Sequence, residues 1–323
     1  MKYFHLKIYK IIFKVLFISF IFFKYFLSFI NSTKLLKYEI KVCICTIGKG
    51  ENLYIIEFVE HYLHYGVDKI FLYDNNELNG ERFNNILNDY IKIGLIEIVN
   101  FRGVKKPQLK SYKNCFKKNY KKYDWLIFYD IDEFLFLKNY KNIKLFLKEK
   151  RFIKCQSIQL NWIFHTDNNL LYYDNRSLIK RFPVREEKAR NKKIGGYQGI
   201  KSIIRGNIKI KVSCPHMISP KLISCDGFGN IKEKNDIATN ISDFEYYYID
   251  HYYSKSTEEF ILKILKSDVI HNLDNRLKLL KIEVYFTINQ ITLDKINYIE
   301  NKTKLNLTQY REKIKNKRSP NFI

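Results

Sequence analysis

The chain of 323 residues has few of the residues that interrupt secondary structure, and its cysteines show no zinc-binding pattern. It contains 5 prolines and 12 glycines, too few for a proline-rich scaffold or a flexible linker. None of its 6 cysteines stands in a CxxC pair, which argues against a structural zinc site. No GxxxxGK[ST] loop is present, so a P-loop enzyme is disfavoured. Because 46% of the residues are hydrophobic, the chain can build a sizeable core.

Basic residues greatly outnumber acidic ones. The chain has 57 Lys and Arg against 33 Asp and Glu, a formal net charge of +24. Such a charge attracts phosphates, acidic lipids and nucleic acids. The basic residues are nevertheless spread along the whole length, among many Asn, Ile, Tyr and Phe, as in a chain with a general compositional bias. We therefore expect a generic attraction to anions and no specific nucleic-acid partner.

An apolar run occupies residues 11–30 and is interrupted only by Lys14 and Lys24. About 20 mostly apolar residues are enough to cross a bilayer as a helix. The run predicts a single-pass membrane anchor near the N-terminus and hence a membrane localisation. Lysines on both sides of the run leave the side of the membrane open. A signal peptide and an amphipathic surface helix are the alternatives.

The cysteines and glycosylation sequons leave the compartment undecided. Cys43 and Cys45 have strand spacing in an apolar run, so both are predicted to point into the core. A Cys214–Cys225 bridge and buried free thiols are both compatible with the sequence. Sequons are numerous in this Asn-rich chain, and several are expected by chance; they begin at Asn31, Asn175, Asn240, Asn301 and Asn306.

Strand and helix patterns alternate through the first 130 residues. Apolar β-rich runs predict strands over residues 38–47, 67–73, 95–100 and 125–129, and helical spacing predicts helices over 51–65, 83–90 and 108–120. This alternation predicts an α/β fold with a mostly parallel sheet and helices on both faces. Ligands of such sheets bind beyond the carboxyl ends of the strands. The loops after Thr46, Tyr73, Asn100 and Tyr129 are therefore the expected site.

The pattern is weaker after Asp132. We predict helices over residues 143–150 and 256–266, a strand over 155–164 and an edge strand over 203–212, while 176–205 fit no single element. Ser256 and Glu259 have the spacing of a helix capping box. The predicted organisation is a tail with the anchor over residues 1–37, one α/β domain over 38–270 and a Lys/Asn-rich, helical tail over 271–323.

The strongest chemical signal is the segment from Tyr129 to Phe134, YDIDEF. An apolar strand delivers Asp130, Asp132 and Glu133 to its carboxyl end, and carboxylates this close favour a divalent cation between them. Oxygen ligands suit Mg²⁺ or Mn²⁺, which commonly bridge to substrate phosphates. A DxD alone is common and also occurs in solvated loops. Its position after a buried strand is what favours a metal site.

Several ordered motifs resemble those of glycosyltransferase family 92 and its family-2-like relatives. The segment CTIGKGENLYIIEFVEHYLHYGVDKIFLYDNN is similar to the opening of that family. Gln108, Tyr112 and Cys115 form a Gln-x-x-x-Tyr-x-x-Cys helix ahead of the acidic strand, and Asp124-Trp125 lead into that strand. The later motifs are Lys201-Ser202-Ile203, His216 and HYYSKS over His251–Ser256. The resemblance covers roughly residues 40–266. It departs at Gly50-Glu51-Asn52 and at LKILKSDV after Phe260.

The resemblance implies a GT-A-like fold and a metal-dependent transfer of a sugar, by analogy galactose, from a nucleotide sugar to a glycan hydroxyl with inversion. Asp130 and Asp132 would then hold Mn²⁺ or Mg²⁺ and the donor diphosphate. His251 would be the third ligand, with His216 as its competitor. The favoured donor is a UDP-sugar. The residues expected to contact it are Thr46, Glu51, Asp74, Gln108 and Lys255. The catalytic base stays unassigned among Asp226, Asp167 and Glu133.

Three other functions remain open at this stage. A phosphoryl or nucleotidyl transferase uses the same kind of acidic metal site. An inactive glycan-binding relative would keep the fold, although the intact DxDE segment argues against it. A nucleic-acid-binding protein would need a basic face with stacking aromatic residues and would bind with a steep salt dependence.

Overall fold

The computed structural model describes residues 39–185, 199–233 and 245–265. The chain divides between Ile40 and Lys41, and the fold below belongs to the second unit. Within the described residues no helix is both long and apolar enough to span a bilayer. The predicted N-terminal anchor and the predicted tail over residues 271–323 lie outside the described residues, so both stay predictions.

The first half of the unit has the predicted alternation. Four strands, β1 (Val42–Gly48), β2 (Lys69–Asp74), β3 (Ile96–Asn100) and β4 (Trp125–Phe128), are parallel and lie in the order β3-β2-β1-β4. They are joined through the helices α1 (Ile55–His64), α2 (Asn84–Lys92) and α3 (Pro107–Asn119). The carboxyl ends of these strands share one edge of the sheet, where the sequence predicts the site.

The second half makes the sheet mixed: among the described residues five strand pairs are parallel, in line with the mostly parallel prediction, and three are antiparallel. Five strands continue it: β5 (Glu133–Leu137), β6 (Ser157–Phe164), β7 (Ile200–Arg205), β8 (Ser224–Cys225) and β9 (Tyr247–His251). The order runs on from β4 as β7-β6-β9-β5, with β8 beside β6. The pairs β4–β7, β6–β7 and β5–β9 are antiparallel, whereas β6–β9 and β6–β8 are parallel.

The predicted edge strand over residues 203–212 is wrong in both its bounds and its position. The strand is β7, and it lies inside the sheet between β4 and β6. It ends at Arg205 because the chain turns at Gly206, where an added Cβ would stand 1.8 Å from the Tyr123 carbonyl oxygen. Asn207 follows with φ +57°, a left-handed conformation that ends a strand.

Three short helices complete the described fold: α4 (Ile143–Leu147), α5 (Leu178–Arg181) and α6 (Thr257–Leu265), with a 3₁₀ turn over Lys150–Phe152. The predicted capping box of α6 is confirmed. The Ser256 N–H donates to Glu259 Oε2 at 3.0 Å, and the Glu259 N–H donates to Ser256 Oγ at 3.3 Å. The predicted helix over 143–150 stops at Leu147.

Two disulfides tie helices and loops to the sheet. Cys45 of β1 pairs with Cys115 of α3, and Cys155 pairs with Cys225. The first bridge lies in the hydrophobic core between α3 and one face of the sheet. Cys43 is buried, as predicted, and remains a free thiol. A Cys214–Cys225 bridge is ruled out because Cys225 already has Cys155 as its partner.

Candidate active site

The acidic segment turns sharply rather than running on as a strand. The Glu133 N–H donates to the Asp130 carbonyl at 3.1 Å, and β5 begins at Glu133. Strand β9 pairs with β5 so that Glu133 lies opposite His251, and the Tyr252 N–H donates to the Asp132 carbonyl at 2.9 Å. The antiparallel β5–β9 pair therefore brings the C-terminal histidine to the acidic turn.

Asp130 is bonded by three side chains. Lys201 Nζ donates to Oδ2 at 2.7 Å, while Tyr112 Oη and Gln108 Nε2 donate to Oδ1 at 2.9 and 3.0 Å. Burial would raise the pKa of the Asp130 carboxyl, but Lys201 outweighs that effect and lowers it. Asp130 is therefore an anchored carboxylate, and its role as a metal ligand stays a prediction.

Glu133 lies behind this contact and is fully buried. Its Oε2 accepts from the Asp130 N–H at 2.9 Å and lies 3.4 Å from Lys201 Nζ. Burial raises the pKa of Glu133 well above its usual value, although Lys201 opposes that rise. Glu133 therefore supports the backbone of the acidic turn. As a candidate base it exposes no surface to an acceptor in this conformation.

Asp132 faces two lysines and a histidine. Lys263 Nζ donates to Oδ2 at 2.8 Å, Lys255 Nζ lies 4.0 Å from the same oxygen, and His251 Nε2 lies 3.6 Å from Oδ1. Burial would raise the pKa of Asp132, but Lys263 and His251 hold it well below its usual range. Asp132 is therefore an ionised carboxylate in a cationic setting.

Asp132 and His251 are two predicted metal ligands that lie close together. Ligand atoms about 2.1 Å from one octahedral ion lie roughly 3 Å apart when adjacent and about 4.2 Å apart when opposite. The 3.6 Å separation lies between these values, so a shared ion would require a small shift of one side chain. Burial lowers the pKa of His251, which favours the neutral imidazole that a metal needs. Within the described residues, no group of three or more His, Cys, Asp or Glu side chains converges on such a site.

Lys255 approaches the same place from the residue before the α6 cap. Its side chain is buried, its Nζ lies 3.7 Å from Glu51 Oε2 and 4.1 Å from the centre of the Tyr54 ring. Burial would lower the pKa of Lys255, but Glu51 and Asp132 raise it. Its backbone has φ +54°, a strained conformation for a residue with a Cβ. The predicted donor residues Glu51 and Lys255 are thus neighbours.

The other predicted residues lie apart from this group or serve local structure. Thr46 is buried in β1. Asp74, at the end of β2, binds Arg102 through Nε at 2.9 Å and Nη2 at 2.8 Å. Asp167 Oδ1 accepts from the Asn169 N–H at 3.1 Å, and Asp226 accepts from Phe228 and Asn230 in its own turn. Their predicted roles remain untested.

Two lysines at the site have no role in the sequence prediction. Lys201 belongs to a family mark but carries no local sign of being a buried counter-ion. Lys263 lies two turns into α6, and nothing in LKILKSDV distinguishes it from other lysines. Only strand pairing and helix packing bring these two cations to Asp130 and Asp132.

A cavity of about 930 Å³ opens elsewhere, at the amino ends of β1 and β2. It is bounded by basic and aromatic side chains, including Lys41, Lys69, Lys118, Lys122 and Tyr123. Ligands of α/β sheets bind at the opposite, carboxyl ends of the strands. This cavity therefore lies away from the edge of the sheet where the sequence predicts the site.

An α/β sheet whose carboxyl edge gathers paired carboxylates, a histidine and lysines offers groups that suit a phosphorylated ligand. The sequence identifies the class of protein. The family model of glycosyltransferase family 92 matches residues 38–291, more than three quarters of the chain. The chain belongs to glycosyltransferase family 92, and it is a glycosyltransferase. A search of curated proteins found no significant match.

Solved structures resemble the chain only distantly. TarS residues 1–349 of S. aureus in complex with UDP is 13% identical with a TM-score of 0.36, over 81% of this chain and 72% of that one. The longer TarS structure is 14% identical with a TM-score of 0.33, and the match covers 73% of this chain and 41% of that one. A third structure is the mannosyltransferase PcManGT from Pyrobaculum calidifontis in complex with GDP-Man and Mn²⁺. It is 9% identical with a TM-score of 0.30, and the match covers 42% of each chain. The chain thus spans under half the length of the latter two proteins.

Proposed function

We propose that this chain transfers a sugar from a nucleotide sugar to a glycan hydroxyl at the carboxyl edge of β1 and β4. The observation that carries the proposal is the meeting of Asp132 with His251, Lys255 and Lys263. Family membership supplies the class of reaction, and this cluster supplies groups for a diphosphate and a cation. We propose a UDP-sugar as donor, with galactose as the first sugar to test.

The lysines bind the donor diphosphate in this proposal. Lys255 and Lys263 each present an ammonium group beside Asp132, so both can donate to phosphate oxygens while staying close to the carboxylate. Their charge stabilises the departing nucleoside diphosphate. Gln108 lies in the first turn of α3, where free backbone N–H groups favour an anion.

We propose that Asp132 and His251 hold Mn²⁺ or Mg²⁺. The ion, when bound, acts as a Lewis acid that neutralises charge on the leaving diphosphate. Asp130 keeps its orientation through Lys201, Tyr112 and Gln108. These contacts keep the acidic turn in one shape while substrate arrives. Inversion requires a base that contacts the acceptor hydroxyl, and that base stays unassigned between Asp167 and Asp226.

We also propose that the catalytic unit is membrane-anchored and faces an oxidising compartment. The apolar run over residues 11–30 supports the anchor. The bridges Cys45–Cys115 and Cys155–Cys225 support the compartment, because disulfides persist mainly outside the reducing cytosol.

Calorimetry and hydrolysis assays on the full-length chain test the proposed function. The ligands are UDP, UDP-galactose, UDP-N-acetylglucosamine and GDP-mannose, each with and without MnCl₂. We expect one sugar nucleotide to bind and turn over with a strong preference. Asp132→Asn should lower turnover about 100-fold or more. Asp89→Asn, which changes an exposed carboxylate of α2, is the matched control and should behave as the unaltered chain.

A folded protein that binds none of these nucleotides, with or without Mn²⁺, would refute the donor assignment and favour the inactive relative. Transfer of phosphate rather than sugar from the same compounds would favour the phosphoryl transferase instead.

A further inference from the structure

Three aromatic or heteroaromatic side chains form a cluster beside the candidate metal ligands, here called the Trp162 cluster: Trp162, His216 and His251. The ring centre of Trp162 lies 4.9 Å from that of His251 and 5.3 Å from that of His216. Trp162 comes from β6, His251 from β9 and His216 from the turn after Pro215. Through His251, whose Nε2 lies 3.6 Å from Asp132, the cluster adjoins the proposed diphosphate site.

The cluster carries three buried polar atoms without partners. Trp162 Nε1, His216 Nδ1 and His251 Nδ1 are all shielded from solvent and have no hydrogen-bond partner in the described part of the chain. His251 itself is only 6% exposed. Leaving a buried donor or acceptor unpaired costs about 1–3 kcal/mol, so three in one place indicate that something else satisfies them.

Trp162 packs tightly against Gly199, and the residue as a whole is only partly buried. The backbone N–H of Trp162 donates to the Gly199 carbonyl at 2.9 Å, and the indole ring lies directly against Gly199. A Cβ at Gly199 would stand 2.2 Å from the ring, so only glycine leaves room for it. The second tryptophan, Trp125, is different, because it is 2% exposed and stacks on Arg205 at 4.3 Å.

We infer that the Trp162 cluster is a sugar-binding subsite that takes one hexose ring next to the diphosphate. A pyranose presents C–H groups on its faces and hydroxyls around its rim. The Trp162 ring offers an apolar face, and the three unpaired nitrogens offer partners for hydroxyl groups. The inference rests on the proposed function and deepens it. The same chemistry serves the donor sugar or the acceptor sugar, and the experiment separates them.

The chain contains two tryptophans, so intrinsic fluorescence isolates the cluster. In the full-length Trp125→Phe variant all indole emission comes from Trp162. UDP, UDP-galactose and UDP-N-acetylglucosamine are titrated with MnCl₂, and galactose, N-acetylglucosamine and lactose are titrated alone and with UDP. A saturable change in emission with a UDP-sugar that UDP does not produce assigns the donor sugar to the cluster. A change with a free sugar assigns the acceptor.

A second variant provides a measurement without fluorescence. Trp162→Leu removes the stacking ring, and calorimetry should give an unchanged UDP affinity, within about twofold. Affinity for the responsive UDP-sugar or free sugar should fall at least tenfold. Unfolding curves of both variants establish that they are folded. If Trp162→Leu does not fold, the fluorescence titration still decides.

The outcomes separate the subsite from the proposed function. Nucleotide binding without any sugar-dependent change at Trp162 overturns the subsite and leaves the proposed function standing. A sugar-dependent change without nucleotide binding supports the subsite and refutes the proposed donor. The absence of both refutes both.

Discussion

Lys201 is the cation that neutralises Asp130 and Glu133 in the acidic turn. It is completely buried, with Asp130 at 2.7 Å and Glu133 at 3.4 Å as its acidic neighbours. Burial alone would lower the pKa of Lys201, but these two acids raise it well above its usual value. The lysine therefore stays charged and acts as a permanent counter-ion.

We expect Lys201→Met to lower the free energy of unfolding by about 3–5 kcal/mol, because it leaves the fully buried Glu133 and the partly buried Asp130 without their cation. Urea unfolding at pH 7 measures the change. Lys92→Met, in the exposed Lys92–Asp89 pair, is the matched control and should cost less than about 1 kcal/mol. The double variant Lys201→Met/Asp130→Asn should recover part of the loss. Equal losses in the single and double variants would contradict this account.

A second residue makes stability depend on pH. The His61 Nε2–H donates to the Leu135 carbonyl at 3.0 Å, and burial lowers the pKa of His61 from 6.5 to about 4. Because the folded pKa lies below the unfolded one, the stabilising effect is complete above pH 6.5 and is lost as the pH falls to about 4. The loss of stability is at most about 3.4 kcal/mol.

Unfolding curves at pH 7, 5.5 and 4.5 should show this decline. His61→Gln should flatten it, while His64→Gln, on the exposed side of the same helix, should leave it unchanged. An identical slope in both variants would show that His61 does not carry the effect.

Among the elements, α6 connects a stabilising helix cap to the proposed donor site. Ser256 caps the helix and directly follows Lys255, whose ammonium is one of the proposed diphosphate contacts. Arg181 of α5 pairs with Glu259 of the same capping box at 2.7 Å. The cap therefore fixes both the helix start and the lysine before it.

We expect Ser256→Ala to cost about 1 kcal/mol of stability and also to weaken binding of the proposed donor severalfold. Asn142→Ala is the matched control, since Asn142 caps α4 by accepting from the Lys144 N–H at 2.7 Å. It should lose similar stability without any change in UDP affinity. Calorimetry with UDP and urea unfolding measure the two effects. Equal UDP affinity in both variants would separate the cap from the site.

The elements also show how far the sequence predicts this fold. Strands β1 to β4 follow from apolar runs separated by helical periods, and local patterns are enough to find them. Strands β5 and β9 were missed because they are short and carry acidic and histidine residues at their ends, Glu133 and His251. The position of β7 inside the sheet depends on long-range antiparallel pairing, which periodicity does not reveal.

The same distinction applies to the site. Asp130 and Asp132 are visible as a motif, and His251 as a family mark. Lys201 and Lys263 are two among 57 Lys and Arg residues, and no local feature separates them from surface lysines. Their role follows only from the distances to the carboxylates in the folded chain.

For the whole molecule, the two disulfides are the main covalent constraints. Each joins residues 70 positions apart, and bridges that close loops of this length commonly contribute about 2–4 kcal/mol. We expect Cys45→Ser/Cys115→Ser to lose about that amount in urea unfolding. Cys214→Ser, at a free and only half-buried thiol, is the control and should lose little. Detection of six free thiols per chain in the unreduced protein would contradict the two disulfides.

The contact between Lys263 and Asp132 has a consequence for how substrates assemble. Without a donor, the carboxylate already has an ammonium partner at 2.8 Å, so a divalent ion arriving alone must compete with that lysine. In the proposed function, a bound diphosphate would give Lys263 a new partner and leave Asp132 available to the ion. We therefore expect ion and nucleotide to be thermodynamically coupled, so that each would strengthen the binding of the other by the same factor.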